Sequence, residues 1–191
     1  ASLRDYDGPI IKEVGLYFEY KLYRGNRTTK INAEHFEAFA SLNYPELLES
    51  GVHLKINKDF LIKPSNAFKF KIHSQLNTNV SIVKLFPGIS EKMLQVFLLC
   101  SDLEGVVLET YGAGNTTTQQ WFIDLLSKVI QKGIYIINVT QCSGGSVLMG
   151  QYETSEKLQE IGLISAGDMT TEAAITKLMY LLTKNLSPEL F

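Results

Sequence analysis

Apolar and polar residues follow a regular order along the second half of the chain. Residues 80–86 (VSIVKLF), 105–111 (GVVLETY) and 134–139 (IYIINV) are short apolar, β-branched runs, which predict three strands. Between them, Ser90 predicts the start of one helix and Gly133 the end of a second. Strands that alternate with helices in this way are typical of α/β domains.

Two further helices complete the pattern. Residues 153–161 have the spacing of a short helix, and Thr170 or Thr171 predicts the N-cap of a last amphipathic helix, supported by Glu172. We expect the second helix to begin at Thr117 or a neighbouring threonine. Since the strands are apolar on both faces, we predict a three-layer, flavodoxin-like or Rossmann-like α/β domain. Its parallel sheet is covered on both sides, and the loops after its strands lie at one edge.

The first part of the chain has a different pattern. Residues 14–24 (VGLYFEYKLYR) alternate and predict one strand, and residues 33–40 (AEHFEAFA) have a short helical spacing. Residues 52–56 and 68–72 also alternate, which predicts two strands around a polar connection that contains proline. The polar stretch 73–79 (HSQLNTN) indicates a boundary.

Charge and composition narrow the classes of function. The chain has 191 residues with 18 basic and 20 acidic side chains, and its net charge of −2 gives no electrostatic reason to expect nucleic acid or an anionic membrane. No apolar run is long enough to span a bilayer, and the charged residues near the start give no reason to expect a signal peptide there. The two cysteines cannot build a disulfide framework, so a reducing compartment is expected.

Two loops at predicted strand ends are the candidate ligand sites. The YGAGN loop (residues 111–115) has two glycines that allow close backbone approach, but the third glycine of a dinucleotide fingerprint is missing. The alternative to a nucleotide-binding loop is a tight turn with no ligand. The second loop, TQCSGGS (residues 140–146), contains Cys142, which lacks an adjacent base, so a structural or weakly ligand-facing role is favoured over a nucleophile. Cys100 is expected to be buried at a helix end.

The remaining candidates are less specific. The three histidines lie in the first half and make no metal-ligand spacing with cysteines or carboxylates. The basic segment 24–30 (RGNRTTK) could grip a phosphate, but arginines that form ion pairs between domains or subunits are favoured.

Four segments in order resemble the cytoplasmic type I L-asparaginases. They are LYRGNRTTK with FEAFASLNYPELLESG (22–51), GVVLETYGAGN (105–115), INVTQCSGGSV (137–147) and ISAGDMTTEAAITKLMYLL (164–182). The resemblance implies that residues 1–57 end an N-terminal α/β domain, that 58–79 are a linker, and that 80–191 form the C-terminal domain. It also implies a cytoplasmic homodimer or homotetramer that converts L-asparagine to L-aspartate and ammonia without metal or cofactor.

The catalytic motifs of that family are absent here. Its threonine nucleophile lies in a T-G-G-T stretch, and an H-G-T-D-T stretch and a later lysine complete the set. The only glycine pair of this chain is Gly144-Gly145, which follows Ser143. The resemblance therefore implies a fragment with no catalytic residues of its own, which we expect to be inactive alone.

The resemblance also assigns binding residues. Gly114 and Asn115, and more weakly Tyr152 and Glu153, are expected to reach the active site of a neighbouring subunit. Thr140 and Cys142 match a second, regulatory asparagine site of the family. The position that carries an arginine in that pattern is Glu109 here, and a carboxylate cannot pair with the carboxylate of an effector.

Two other functions stay open on these residues. The chain could be a free-standing small-molecule-binding or regulatory module of similar fold, with no chemistry of its own. It could also be an amidotransferase subunit that acts on another amide, because the C-terminal half carries little substrate specificity.

Overall fold

The computed structural model describes residues 4–5, 8–9, 11–63, 71–150, 153–184 and 186. The chain divides into two compact units, Ala1–Ile72 and His73–Phe191.

Short antiparallel strands make up the N-terminal unit. In chain order they are β1 (Arg4–Asp5), β2 (Gly8–Pro9), β3 (Gly15–Phe18), β4 (Lys21–Arg24), β5 (Thr29–Lys30), β6 (Phe39–Ala40), β7 (Leu48–Ser50) and β8 (Leu54–Ile56). One sheet has the order β3-β4-β7-β8, while β1 pairs with β2 and β5 with β6. A 3₁₀ turn at Gly25–Arg27 connects β4 to β5, and a second at Lys58–Phe60 follows β8.

The single strand predicted for residues 14–24 is wrong, because this segment is a β-hairpin. Phe18 pairs with Lys21, so Glu19 and Tyr20 form a two-residue loop. Both have positive φ, 43° and 67°, which is the backbone of a type I′ turn. Neither residue is the glycine or asparagine that normally marks this turn, so the sequence pattern did not reveal it.

The helix predicted for residues 33–40 is also wrong. The Asn32 side-chain oxygen accepts hydrogen bonds from the backbone N–H groups of Glu34 (2.8 Å) and His35 (3.0 Å). This Asx turn folds the segment into a loop between β5 and β6, and Phe36 is 83% exposed. Phe36 therefore lies in a connection, and Phe39 and Ala40 of the same apolar pattern form β6 instead of a buried helix face.

The prediction for residues 52–56 is confirmed in part. β8 contains Leu54 and Ile56, but Val52 lies in the turn between β7 and β8 and is 97% exposed. The strand expected at residues 68–72 lies mostly outside the described residues.

The C-terminal unit is a parallel α/β domain, as predicted. Its elements in chain order are β9 (Val80–Lys84), α1 (Glu91–Leu98), β10 (Gly105–Thr110), α2 (Gln120–Gln131), β11 (Tyr135–Thr140), α3 (Glu153–Glu160), β12 (Ile164–Ser165) and α4 (Thr171–Leu181). All strand pairs are parallel in the order β12-β11-β10-β9, so the strands follow chain order without reversal. The two-residue edge strand β12 was too short to predict.

Helices cover both faces of this sheet. On one face, Val106 and Leu108 of β10 pack in a cluster with Leu94 of α1, Phe122 of α2 and Leu158 of α3. Alternate residues point to the opposite face, where a second cluster is formed by Val107, Ile137, Val139, Ala166, Ala174 and Leu178. The last two belong to α4, so the domain has three layers.

Capping confirms the predicted starts of α1 and α4, whereas α2 begins later than predicted. The Ser90 hydroxyl accepts from the Met93 N–H at 3.3 Å, and the Thr170 hydroxyl accepts from the Ala173 N–H at 3.2 Å. At α2, Thr117 instead accepts at 3.4 Å from the N–H of Gln119, which itself is the N-cap. The helix therefore begins at Gln120, later than predicted, because the threonine stabilises a turn ahead of it.

Candidate functional site

The loops that follow the four strands of the C-terminal unit lie at one edge of its sheet, because all four strands are parallel. This edge is where open α/β sheets bind ligands. It contains the YGAGN loop after β10 and the TQCSGGS loop after β11, which are the two candidate loops identified from the sequence.

The YGAGN loop is a tight, closed turn. The Tyr111 N–H donates to the Asn115 carbonyl at 2.9 Å, and the Asn115 N–H donates back to the Tyr111 carbonyl at 2.7 Å. Gly112 and Gly114 have φ of 49° and 108°, so the backbone enters conformations that favour glycine. A Cβ on Gly114 would lie 2.8 Å from Val147 Cγ1, so a side chain does not fit there. Asn115 therefore sits on a rigidly held backbone.

The TQCSGGS loop is bonded to the YGAGN loop. The Thr140 hydroxyl donates to the Gly112 carbonyl at 2.5 Å and accepts from the Cys142 N–H at 3.0 Å. Further along, the Leu148 N–H donates to the Ala113 carbonyl at 3.0 Å. Thr140, predicted as a ligand contact, thus has its hydroxyl engaged in holding the two loops together.

A buried polar pair lies beneath the loops. The Thr110 hydroxyl donates to Asn138 Oδ1 at 2.6 Å, and both residues are fully buried. The Asn138 amide nitrogen is 3.5 Å from the sulfur of Met149, in the segment that follows the second loop. The sequence pattern did not single out Asn138. An asparagine inside the apolar run IYIINV nevertheless indicates a buried polar contact, because a buried amide needs hydrogen-bond partners.

Glu109 lies on the other face of the sheet from Thr140. Its side chain is 15% exposed and accepts a hydrogen bond from the Thr171 hydroxyl of α4 at 2.7 Å. Lys84 Nζ lies 3.5 Å from its second carboxylate oxygen. Residues alternate along a strand, so Glu109 faces α4 while its neighbour Thr110 faces the opposite cluster. The resemblance groups Glu109, Thr140 and Cys142 in a regulatory site. In the structure, Glu109 is hydrogen-bonded to α4 on one face of the sheet, whereas Thr140 is hydrogen-bonded to the YGAGN loop on the other side.

The remaining predicted site residues are only partly described. Gly114 is buried and Asn115 is half-buried, whereas Cys142 is exposed. Glu153 begins α3, but its side chain and the whole of Tyr152 lie outside the described residues.

A cavity of about 350 Å³ opens beside the YGAGN loop. Its lining residues come from the loops after β9 and β10 and from the start of α2: Leu85, Phe86, Pro87, Gly88, Ile89, Tyr111, Thr117, Gln119 and Trp121. The Trp121 ring nitrogen donates to the Gln119 side-chain oxygen at 2.5 Å. The side chains that line the cavity are mainly aromatic and aliphatic.

The basic segment 24–30 has a partner within its own unit. Arg24 forms an ion pair with Glu13, whose side chain is 4% exposed, and it donates to the Phe60 carbonyl at 2.9 Å. The hydrogen bond to Glu13 raises the pKa of the Arg24 guanidinium above its ordinary value. Arg24 and Arg27 also lie over the Tyr44 ring, at 4.4 and 5.4 Å. Arg24 therefore pairs within its own unit and not between domains as predicted, while ion pairs between subunits stay a prediction.

Both cysteines of the chain are exposed and free. Cys100 is exposed, contrary to prediction, because the helix face turned to the core ends at the buried Leu98. Among the described residues, no three histidine, cysteine, aspartate or glutamate side chains form a group that could hold a metal ion. In the same residues, no helix is long and apolar enough to span a bilayer.

Both units match known protein families. The Glutaminase/Asparaginase C-terminal domain model matches residues 79–191, and the N-terminal asparaginase model matches residues 5–61. L-asparaginase 1 of Escherichia coli strain K12 is 40% identical over 179 residues, which cover 94% of this chain and 52% of that protein. The chain thus spans about half the length of this relative.

Solved structures agree in fold. L-asparaginase I from Vibrio cholerae superposes with a TM-score of 0.84 at 35% identity, covering 94% of this chain and 53% of that one. A probable cytoplasmic L-asparaginase from Campylobacter jejuni has a TM-score of 0.76 at 21% identity, covering 97% of this chain and 55% of that one, which shows the fold alone. The C-terminal family model alone covers more than half of the chain, and the chain therefore belongs to the glutaminase/asparaginase family.

Proposed function

We propose that this chain is part of an L-asparaginase that hydrolyses L-asparagine to L-aspartate and ammonia. The family of the chain and its 40% identity to an L-asparaginase support this substrate. The threonine nucleophile would lie outside these 191 residues, because neither the T-G-G-T nor the H-G-T-D-T stretch occurs in the sequence. Amide hydrolysis by threonine needs an activating base and donors for the oxyanion, so the chain alone would release no ammonia.

In this proposal the C-terminal unit completes the active site of a neighbouring subunit in a homodimer or homotetramer. The observation that carries it is the state of Asn115. Its backbone is fixed by two hydrogen bonds to Tyr111, while its half-buried side-chain amide has no hydrogen-bond partner among the described residues. An amide can donate to the carboxylate and accept from the ammonium of a zwitterionic substrate. Gly114 shapes the turn, and Tyr152 and Glu153 remain predicted contacts.

Regulation by asparagine at Glu109, Thr140 and Cys142 is not part of the proposed function. The Glu109 carboxylate already accepts from Thr171 and would repel the carboxylate of an effector. The Thr140 hydroxyl has both a donor and an acceptor partner within the unit. We expect asparagine to be the substrate and not to activate the enzyme by binding at Glu109, Thr140 and Cys142.

A cytoplasmic location also belongs to the proposal. Cys100 and Cys142 are both exposed and free, which suits a reducing compartment.

A chimaeric protein tests the function. The part of E. coli L-asparaginase 1 that this chain does not match is joined to the chain, and ammonia release is measured with asparagine and with glutamine. We expect the chimaera to hydrolyse asparagine. Asn115→Ala should lower kcat/KM about 10- to 100-fold, because the variant loses a hydrogen bond to a charged group of the substrate. The exposed Asn26→Ala is the matched control and should leave kcat/KM unchanged.

Two results would contradict the proposal. A folded chimaera that releases ammonia from glutamine and not from asparagine would exclude asparagine as the substrate. Full activity of the Asn115→Ala variant would exclude the role of the YGAGN loop.

A further inference from the structure

Gln141 joins the ends of three neighbouring strands. Its side-chain Nε2 donates to the Leu85 carbonyl at 2.6 Å and to the Glu109 carbonyl at 2.9 Å. Its backbone N–H donates to the Thr110 carbonyl at 2.9 Å. Leu85 directly follows β9 and Glu109 belongs to β10, whereas Gln141 directly follows β11. One side chain therefore bridges three segments that are distant in sequence.

This connection continues into the YGAGN loop. Thr140, the residue before Gln141, donates to the Gly112 carbonyl at 2.5 Å. Gly112 lies inside the turn that the two hydrogen bonds between Tyr111 and Asn115 close. On the other side, Leu85 leads into the segment that lines the cavity beside Tyr111. The position of Gln141 thus fixes the spacing between both loops that flank the cavity.

We propose that Gln141 is a positioning residue that couples the three strand ends and sets the conformation of the YGAGN loop. A primary amide suits this role because one uncharged nitrogen supplies two donors to two carbonyl groups. A hydroxyl has one donor, and lysine or arginine would bring a charge to a half-buried place. The coupling is a property of the C-terminal unit itself, whereas its effect on catalysis rests on the proposed function.

Hydrogen exchange in the full 191-residue chain tests the coupling. Gln141→Met keeps the length of the side chain and removes both donors. We expect the backbone N–H groups of Leu85, Gly114 and Gln141 to exchange roughly 5- to 10-fold faster, the scale of a lost neutral hydrogen bond. Gln131→Met is the matched control, since the exposed Gln131 side chain donates to the Ser127 hydroxyl within α2, away from the strand ends, and it should change none of these rates.

The pattern of exchange decides the result. Faster exchange at Gln141 alone, or unchanged exchange at Leu85 and Gly114, would overturn the coupling. If the methionine variant does not fold, Gln141→Asn serves instead. The side chain of asparagine is one methylene shorter, so its amide can reach one carbonyl at most. We therefore expect exchange at the same three sites to be accelerated less. Faster exchange at residue 141 alone, or unchanged exchange at Leu85 and Gly114, would again overturn the coupling.

A double-mutant cycle in the chimaera tests the effect on catalysis. If Gln141 acts through the YGAGN loop, Gln141→Met should raise KM about tenfold when Asn115 is present. The same substitution should have little further effect when Asn115 is already replaced by alanine. Equal effects in both backgrounds would overturn the positioning role. An inactive chimaera would count against the proposed function only, because the exchange measurement judges the coupling without catalysis.

Discussion

The two units of this chain have different kinds of interior. Among the described residues, the C-terminal unit buries 21 hydrophobic side chains, 20 of them in two clusters, whereas the N-terminal unit buries three, Ala38, Leu47 and Leu48. The N-terminal unit relies on the Arg24–Glu13 ion pair and the stacking of arginines on Tyr44. It also leaves large apolar side chains such as Val14, Phe36 and Val52 mostly exposed.

The two units therefore contribute differently to stability and to function. A layered sheet with its own core can hold loops rigidly at its edge, which is what a binding site requires. A unit with little buried apolar surface gains less from hydrophobic burial, so each polar contact is a larger part of its stability. We therefore expect substitutions in the two units to have separate effects.

Removing Phe122 should have the largest effect. The side chain is fully buried between α2 and the sheet, so Phe122→Ala should destabilise the C-terminal unit by about 3–5 kcal/mol. Urea unfolding followed by the fluorescence of Trp121, the only tryptophan, measures this directly, because the two rings are 5.8 Å apart. Phe36→Ala is the control in the N-terminal unit. Its side chain is exposed, and a shift as large as that of Phe122→Ala would remove the contrast between the units.

Breaking the buried ion pair should be next in size. Arg24→Met leaves the nearly buried Glu13 carboxylate without its cation, which should cost the N-terminal unit about 2–4 kcal/mol. Hydrogen exchange of the β4 amides measures the loss, while the Trp121 signal of the C-terminal unit should not change. Lys55→Met removes the exposed Lys55–Glu49 pair and should cost less than about 0.5 kcal/mol. Equal losses would show that burial of the pair does not matter.

Substituting Gly114 should have a smaller effect, confined to the edge of the sheet. Gly114→Ala places a Cβ against Val147 at a φ of 108°, so we expect about 1–3 kcal/mol of destabilisation. Gly133→Ala is the control, because its φ is 86° but nothing lies within 4 Å of the added Cβ. A larger loss in urea midpoint for Gly114→Ala, partly relieved by Val147→Ala, would establish the close contact. Equal losses would contradict it.

The smallest effect is a pH dependence at the opposite end of β10. A hydrogen bond from Asn77, and a second from Asn79 at 2.8 Å, lower the pKa of Glu104. Because the pKa is lower in the folded state, this stabilisation is complete above the ordinary value of 4.5 and is lost as the pH falls below it. Glu104 is exposed, so the contribution should stay below about 0.5 kcal/mol. Urea midpoints at pH 7 and pH 3.5 should differ less in Glu104→Gln, and an unchanged difference would contradict this assignment.

The sequence pattern predicted the C-terminal unit well and the N-terminal unit poorly, for a physical reason. Strands buried on both faces and capped helices produce strong local signals, such as GVVLET in β10 and Ser90 at α1. The N-terminal strands are short and half-exposed, and one turn uses Glu19 and Tyr20, which are not typical turn residues. Local pattern could not distinguish that hairpin from one strand.

The candidate site was predictable in place but not in detail. Loops after parallel strands must lie at one edge, so the YGAGN and TQCSGGS loops could be placed from the sequence. The bonds of Thr140 to Gly112 and of Gln141 to Leu85 join residues far apart in the chain. These hydrogen bonds depend on the order of the strands in the sheet, which local sequence patterns do not reveal. Because of them, Thr140 holds two loops together, whereas the sequence suggested a ligand contact.

The most direct test of the account compares ammonia release from L-asparagine by the purified 191-residue chain and by the chimaera, at equal concentration. We expect release by the chimaera and none above background from the chain alone, with the β10 amides protected from hydrogen exchange in both as the check that the C-terminal unit is folded. Sustained release by the chain alone would contradict the claim that the nucleophile lies outside it and would require a nucleophile among its own residues.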